Sequence, residues 1–169
     1  MTSSVDTLKK VADDAYAKYP KSCSHAVWHV IKQYIPDQIY LTANTLLSHL
    51  ECDPRWKLVI VSDLEKYVNE GILIVGGLTS IPNGHVVIVY PGKAKLAGGY
   101  SFTQAGKSQM VRGRGPYARV MSTSLGSWPG ALSNGDKTVW DPWGKDAVFS
   151  KVKFWRFDPA EKKKPAGCK

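Results

Sequence analysis

A change of periodicity at Gly71 constrains this chain more than any other feature. Before it, apolar residues recur at helical spacing; after it, β-branched runs are separated by turn-forming clusters. Helices gathered in one half and strands in the other predict an α+β fold, with N-terminal helices packed on an antiparallel β-sheet. Val5, Leu8, Val11, Ala12, Ala15 and Tyr16 mark an amphipathic helix over about 5–19, closed by Pro20. A second helix begins at Ser22 or Cys23; its stripe is Ala26, Val27, Val30, Ile31 and Tyr34, and Pro36 stops it. A short helix is expected over about 42–50. Ser62-Asp63-Leu64-Glu65 has the form of a capping box, and Gly71 stands where a C-terminal glycine would, which predicts a helix over 63–70.

Beyond Gly71, Ile72-Leu73-Ile74-Val75 and the run from His85 to Tyr90 read as a strand pair. Pro82-Asn83-Gly84 supplies the turn, and Pro91-Gly92 ends the second strand. Residues 93–115 read as a long glycine-rich, basic excursion, and further strands are expected over 118–123, 138–140 and 148–157. With 169 residues, 43% of them hydrophobic, the chain can bury one core without staples. A single domain over 1–158 is expected, followed by a solvated basic tail over 159–169.

The net charge of +9 favours polyanionic partners: nucleic acid, anionic lipid, or the acidic polymers and stem peptides of a bacterial wall. The basic residues are scattered apart from Glu161-Lys162-Lys163-Lys164 and Arg112-Gly113-Arg114-Gly115, which is too short to make an RNA interface. No nucleic-acid partner is expected. The segment Met1 to Asp6 lacks the basic and apolar regions of a cleaved signal, and no run approaches the length of a membrane span. A soluble protein made in the cytoplasm is expected, one that needs another delivery route if its target lies outside.

Three cysteines, Cys23, Cys52 and Cys168, form neither a disulfide framework nor a zinc pattern, so at least one thiol is free. Cys23 falls at the first turn of the second helix. Unpaired N–H groups and the helix dipole there stabilise an anion, which predicts a lowered thiol pKa and a ready oxyanion hole. His85 opens an apolar strand just after a turn, at a rim where an acid–base group can face a cleft. Taken singly, a cysteine is ordinarily a small core hydrophobe and a rim histidine ordinarily bonds a loop. The pair carries more, because helix and sheet packing can bring thiol and imidazole together.

Ser22-Cys23-Ser24-His25-Ala26-Val27 resembles the cysteine motif of the NlpC/P60 and CHAP-type peptidoglycan hydrolases, and Asn83-Gly84-His85-Val86-Val87-Ile88-Val89 resembles their histidine motif. Glu70-Gly71 running into Ile72-Leu73-Ile74-Val75-Gly76-Gly77 is also similar. Within that superfamily the chain looks most like the amidase effectors of the type VI secretion system. The resemblance implies a papain-like core and a cysteine amidase that cuts the stem peptide or cross-link of peptidoglycan. It further implies an antibacterial toxin acting in the periplasm of a target cell, restrained in its producer by a cognate immunity protein. Cys23 would be nucleophile and His85 general base, with Ser24 and His25 as substrate-binding or oxyanion residues. Val120-Met121-Ser122-Thr123-Ser124-Leu125-Gly126 resembles the segment that carries the third catalytic residue, which places Ser122 there. Asp141 or a backbone carbonyl are the alternatives. A non-catalytic wall-binding module, a phage or autolytic hydrolase, and transfer of the acyl group to an amine remain open.

No cofactor is expected. His25 and His29 stand at a spacing zinc sites use, but the residues between them lack the glutamate of H-E-x-x-H. Trp128, Trp140 and Trp143 read as core rather than sugar-stacking residues, and Cys52 and Cys168 as incidental.

Overall fold

The first two helices each start where a serine hydroxyl receives a free backbone donor. The computed structural model describes residues 3–124 and 128–161. Helix α1 spans Ser4–Lys18, and the Ser3 hydroxyl accepts the Asp6 N–H at 3.1 Å. Helix α2 spans Cys23–Tyr34 with Ser22 as its cap, and α3 spans Ala43–Cys52. The periodic residues that predict α1 and α2 are the ones they bury: Leu8, Val11, Ala12 and Ala15 on one, Ala26, Val27, Val30 and Ile31 on the other. Each large aliphatic side chain so buried contributes about 1.5–3 kcal/mol, and the two helices pack on each other as well as on the sheet.

The fourth helix departs from expectation. A one-turn 3₁₀ segment, Val61–Asp63, leads into a short α4, Leu64–Val68, and no side chain caps either. Glu65, the other member of the expected capping box, instead accepts the Ala94 N–H from a facing strand. A tertiary partner has taken the carboxylate that the local motif would have used. Gly71 does end the segment: its φ is +83°, and its N–H reaches the Val68 carbonyl at 3.0 Å.

The strands are β1 (Trp56–Val59), β2 (Ile74–Leu78), β3 (His85–Ala97), β4 (Tyr100–Gln104), β5 (Lys107–Val111), β6 (Arg114–Ser122), β7 (Ser133–Thr138) and β8 (Lys153–Phe157). Six of them form one sheet of order β1-β8-β2-β3-β6-β7, with every pair antiparallel, while β4 and β5 form a separate hairpin. The architecture is α+β, as the change of periodicity predicts. A short helix α5, Asp146–Phe149, precedes β8. No helix of the described residues is long and apolar enough to cross a membrane.

Several strand boundaries differ from those expected. β3 runs through Pro91-Gly92 rather than stopping there, because the pairing with β6 shifts register between Tyr90 and Lys95 and absorbs the irregularity. The expected excursion over 93–115 is therefore the outer part of β3, the β4–β5 hairpin and the start of β6. Thr138 is the end of β7, and Trp140 lies in the turn after it. Val148 belongs to α5, so the last strand starts at Lys153. β1 has no counterpart in the sequence reading, being four residues long with only its ends buried.

Val86, Val87, Ile88 and Val89 are all 0% exposed, held between β2 and β6 at the middle of the sheet. Gly77 of β2 allows the start of β3 to come this close. A Cβ there would stand 2.5 Å from the His85 carbonyl oxygen, a backbone atom that cannot swing away. Gly77→Ala is expected to cost about 1–3 kcal/mol, measured by urea denaturation, and to shift the His85 ring resonances; an unchanged midpoint would contradict this packing.

Candidate active site

Cys23 is the first residue of α2. Ser22, before it, accepts the His25 N–H through its hydroxyl at 3.3 Å, the ordinary N-cap bond. The N–H groups of Cys23 and Ser24, which no helical carbonyl can reach, approach the sulfur together with the N–H of Val86. Val86 follows His85 in β3, so the thiol sits against the beginning of the histidine strand. Burial pushes the Cys23 thiol above its ordinary value of 9.0, and the three backbone donors only partly offset it. The expected lowering of this pKa is thus reversed: the desolvation that comes with packing α2 on β3 outweighs the helix start.

His85 is anchored from the opposite side. Its Nε2 lies 2.9 Å from the hydroxyl of Ser122 at the end of β6, and Ser122 Oγ donates to the Ala131 carbonyl at 2.7 Å. A serine has one hydroxyl proton. Because Ala131 receives it, Ser122 must accept from His85, which places the imidazole proton on Nε2 and leaves Nδ1 with its lone pair. Ser122 is 1% exposed, so water does not compete for this chain of bonds. Trp143 stands edge-on to the imidazole at 5.6 Å between centroids. Burial pushes His85 down to about 4. At neutral pH both thiol and imidazole are uncharged, and no hydrogen bond joins them among the described residues.

Cys23 and His85 line one cavity of about 680 Å³, together with Ser24, Tyr40, Trp128 and Trp143. Such an arrangement offers a thiol, a neutral base of fixed tautomer, and main-chain donors at the sulfur. These are the parts that addition to a carbonyl requires.

The other candidate residues separate. Ser24 lines the cavity, and its hydroxyl meets that of Tyr40 at 2.6 Å. His25 does not line it. Its ring stacks on Tyr40 at 4.1 Å, its Nδ1 bonds the Ser22 hydroxyl at 2.7 Å, and its backbone N–H is taken by the cap. Asp141 is also elsewhere. Its carboxyl group, 1% exposed, accepts from the N–H of Gly98, the hydroxyl of Tyr100 and both the N–H and hydroxyl of Thr138. The carbonyl alternative enters indirectly, since Ala131 orients Ser122 rather than the imidazole.

Trp140 is core, whereas Trp128 and Trp143 wall the cavity, which corrects their expected burial. Cys52 is disulfide-bonded rather than incidental, and Cys23 is the free cysteine of the described residues. Cys168, Leu125, Gly126 and Lys162 to Lys164 lie outside the described residues. Among those residues, no three histidine, cysteine or carboxylate side chains gather as a metal site would require. Tyr40 and Ala131 escaped the sequence reading. Tyr40 follows a proline-ended helix with no motif around it, and a carbonyl carries no side-chain signal.

A scan against protein-family models matches none, and a search of the curated proteins returns no match.

Two measurements test this electrostatic picture. Alkylation of Cys23 by iodoacetamide should rise with pH and reach its midpoint above 9.0; a midpoint near neutrality would contradict it. For His85, the unfolded chain binds more protons than the folded one between pH 6.5 and about 4. This residue therefore removes stability as pH falls through that window. His85→Gln should flatten that part of the urea-denaturation profile, and an unaltered slope would show that the ring titrates normally.

Proposed function

We propose that this protein is a cysteine amidase that hydrolyses amide bonds in the stem peptide or cross-link of peptidoglycan. The observation that carries the reading is the shared cavity, lined by a free thiol at a helix start and by a histidine whose Nε2 is anchored and whose Nδ1 has no hydrogen bond among the described residues. The cysteine and histidine motifs and the net charge of +9, suited to an anionic wall polymer, support the choice of substrate. By the same resemblance, the core would be papain-like and the protein an antibacterial effector of type VI secretion. It would act in the periplasm of a target cell and be held in check by an immunity protein in the producer.

With both groups neutral at rest, proton transfer and attack are coupled. Nδ1 of His85 removes the Cys23 proton as sulfur bonds to the amide carbon, and the carbonyl oxygen becomes an oxyanion received by the N–H groups of Cys23 and Ser24. Collapse breaks the C–N bond. The imidazolium, steadied through Nε2–H by Ser122, returns the proton to the departing amine. Water then adds to the thioester with His85 as base, releasing the acid and restoring the thiol.

Digestion of purified sacculi, with mass analysis of the fragments, is the test. The wild-type protein should release fragments that have gained water, and Cys23→Ala should release none while still binding. Release that survives this substitution would exclude the nucleophile, and fragments that have gained an amine would indicate transfer. Ser122→Ala should lower kcat about 10- to 100-fold, a part of the 10²–10⁴ that a positioned general base supplies, with little change in KM.

A further inference from the structure

The cavity around Cys23 shares a wall with another. Trp128, Pro142 and Trp143 line both it and a second cavity of about 530 Å³, whose other side is built from the β4–β5 hairpin. Phe102 and Met110 give that second cavity an apolar surface, and Met110 is 81% exposed. Its charged lining residues are Arg112, Arg114 and Lys145, and among the described residues no aspartate or glutamate lines either cavity. Arg114 is answered by Asp146 at 3.2 Å and lies over the Trp140 ring. Arg112 and Lys145 are exposed and form no ion pair among the described residues. An apolar surface beside two uncommitted cations suits an aliphatic arm that ends in an anion.

We propose that the outer cavity is a carboxylate-recognising subsite. A peptide whose scissile amide lies at Cys23 crosses the wall formed by Trp128 and Trp143. It lays the aliphatic part of an acidic residue on Phe102 and Met110, and its free carboxylate is received by Arg112 and Lys145. The assignment rests on the amidase reading and adds its substrate class: peptides carrying an unamidated carboxyl group on the side of the cut that faces the hairpin. Arg114, engaged with Asp146 and Trp140, ties the start of β6 to α5 rather than binding the anion.

The test uses the full chain with Cys23→Ala, which can bind without turnover, and calorimetric titration with a diaminopimelate-containing stem tetrapeptide or the same peptide with its carboxyl groups converted to carboxamides. The acid should bind about 3- to 10-fold more tightly, the size expected of two exposed charge contacts, and added salt should erode the difference. Adding Arg112→Ala and Lys145→Ala should bring the two affinities together. Equal affinities at the outset, no binding of either peptide, or a preference that survives both substitutions would overturn the subsite. The wild-type protein is assayed in parallel for hydrolysis of the acid peptide. A carboxylate preference without hydrolysis would sink the amidase reading and leave the subsite standing; hydrolysis without preference would do the reverse.

Discussion

The hydrogen bond that Ser122 donates to the Ala131 carbonyl decides what His85 can do. Had that carbonyl been absent, the serine could serve the imidazole as donor or acceptor, and neither tautomer would be favoured. With its proton committed, Ser122 can only accept, and the ring nitrogen facing it must carry hydrogen. The arrangement depends in turn on the register of β3 against β6, where Ile88 stands opposite Met121 and brings the next residue, Ser122, to the end of the histidine strand. A slip of one residue would turn the hydroxyl to the other face of the sheet.

Burial is what distinguishes this pair from a preformed ion pair. The same apolar packing that seats α2 on β3 and leaves Val86 to Val89 without solvent exposure disfavours both thiolate and imidazolium. A neutral thiol beside a neutral base is chemically quiet, and it becomes a nucleophile only as its proton leaves. For the proposed amidase this means that charge develops once a carbonyl is in place to share it, with main-chain donors already at the sulfur.

The helices and the two motif residues were legible in the sequence because each rests on a local signal: apolar spacing in α1 and α2, Ser22 and Pro20 before Cys23, and a turn before His85. What escaped depends on partners distant in the chain. Glu65 left its capping box for the backbone of Ala94. β7 has the composition of a loop, Ser-Asn-Gly-Asp-Lys-Thr, yet it pairs at the sheet edge. The thiol's pKa rises where the sequence predicts a fall, because a helix start is visible in sequence and the depth of its burial is not. Ser122 came from resemblance, and its bond to a backbone carbonyl had no residue-type signature at all.

Asp141, set aside as a partner for histidine, has a different consequence. Its carboxyl group binds the base of the hairpin through Gly98 and Tyr100 and the end of β7 through Thr138, while its own carbonyl receives the indole N–H of Trp128 at 3.0 Å. The root of the hairpin and the aromatic partition are therefore fastened at one point. The far end, at Ala105 and Gly106, is tied to nothing comparable; a side chain added at Gly106 would meet open space. A side chain can accordingly be added at the hairpin's tip without disturbing the partition or the residues that line the cavity behind it.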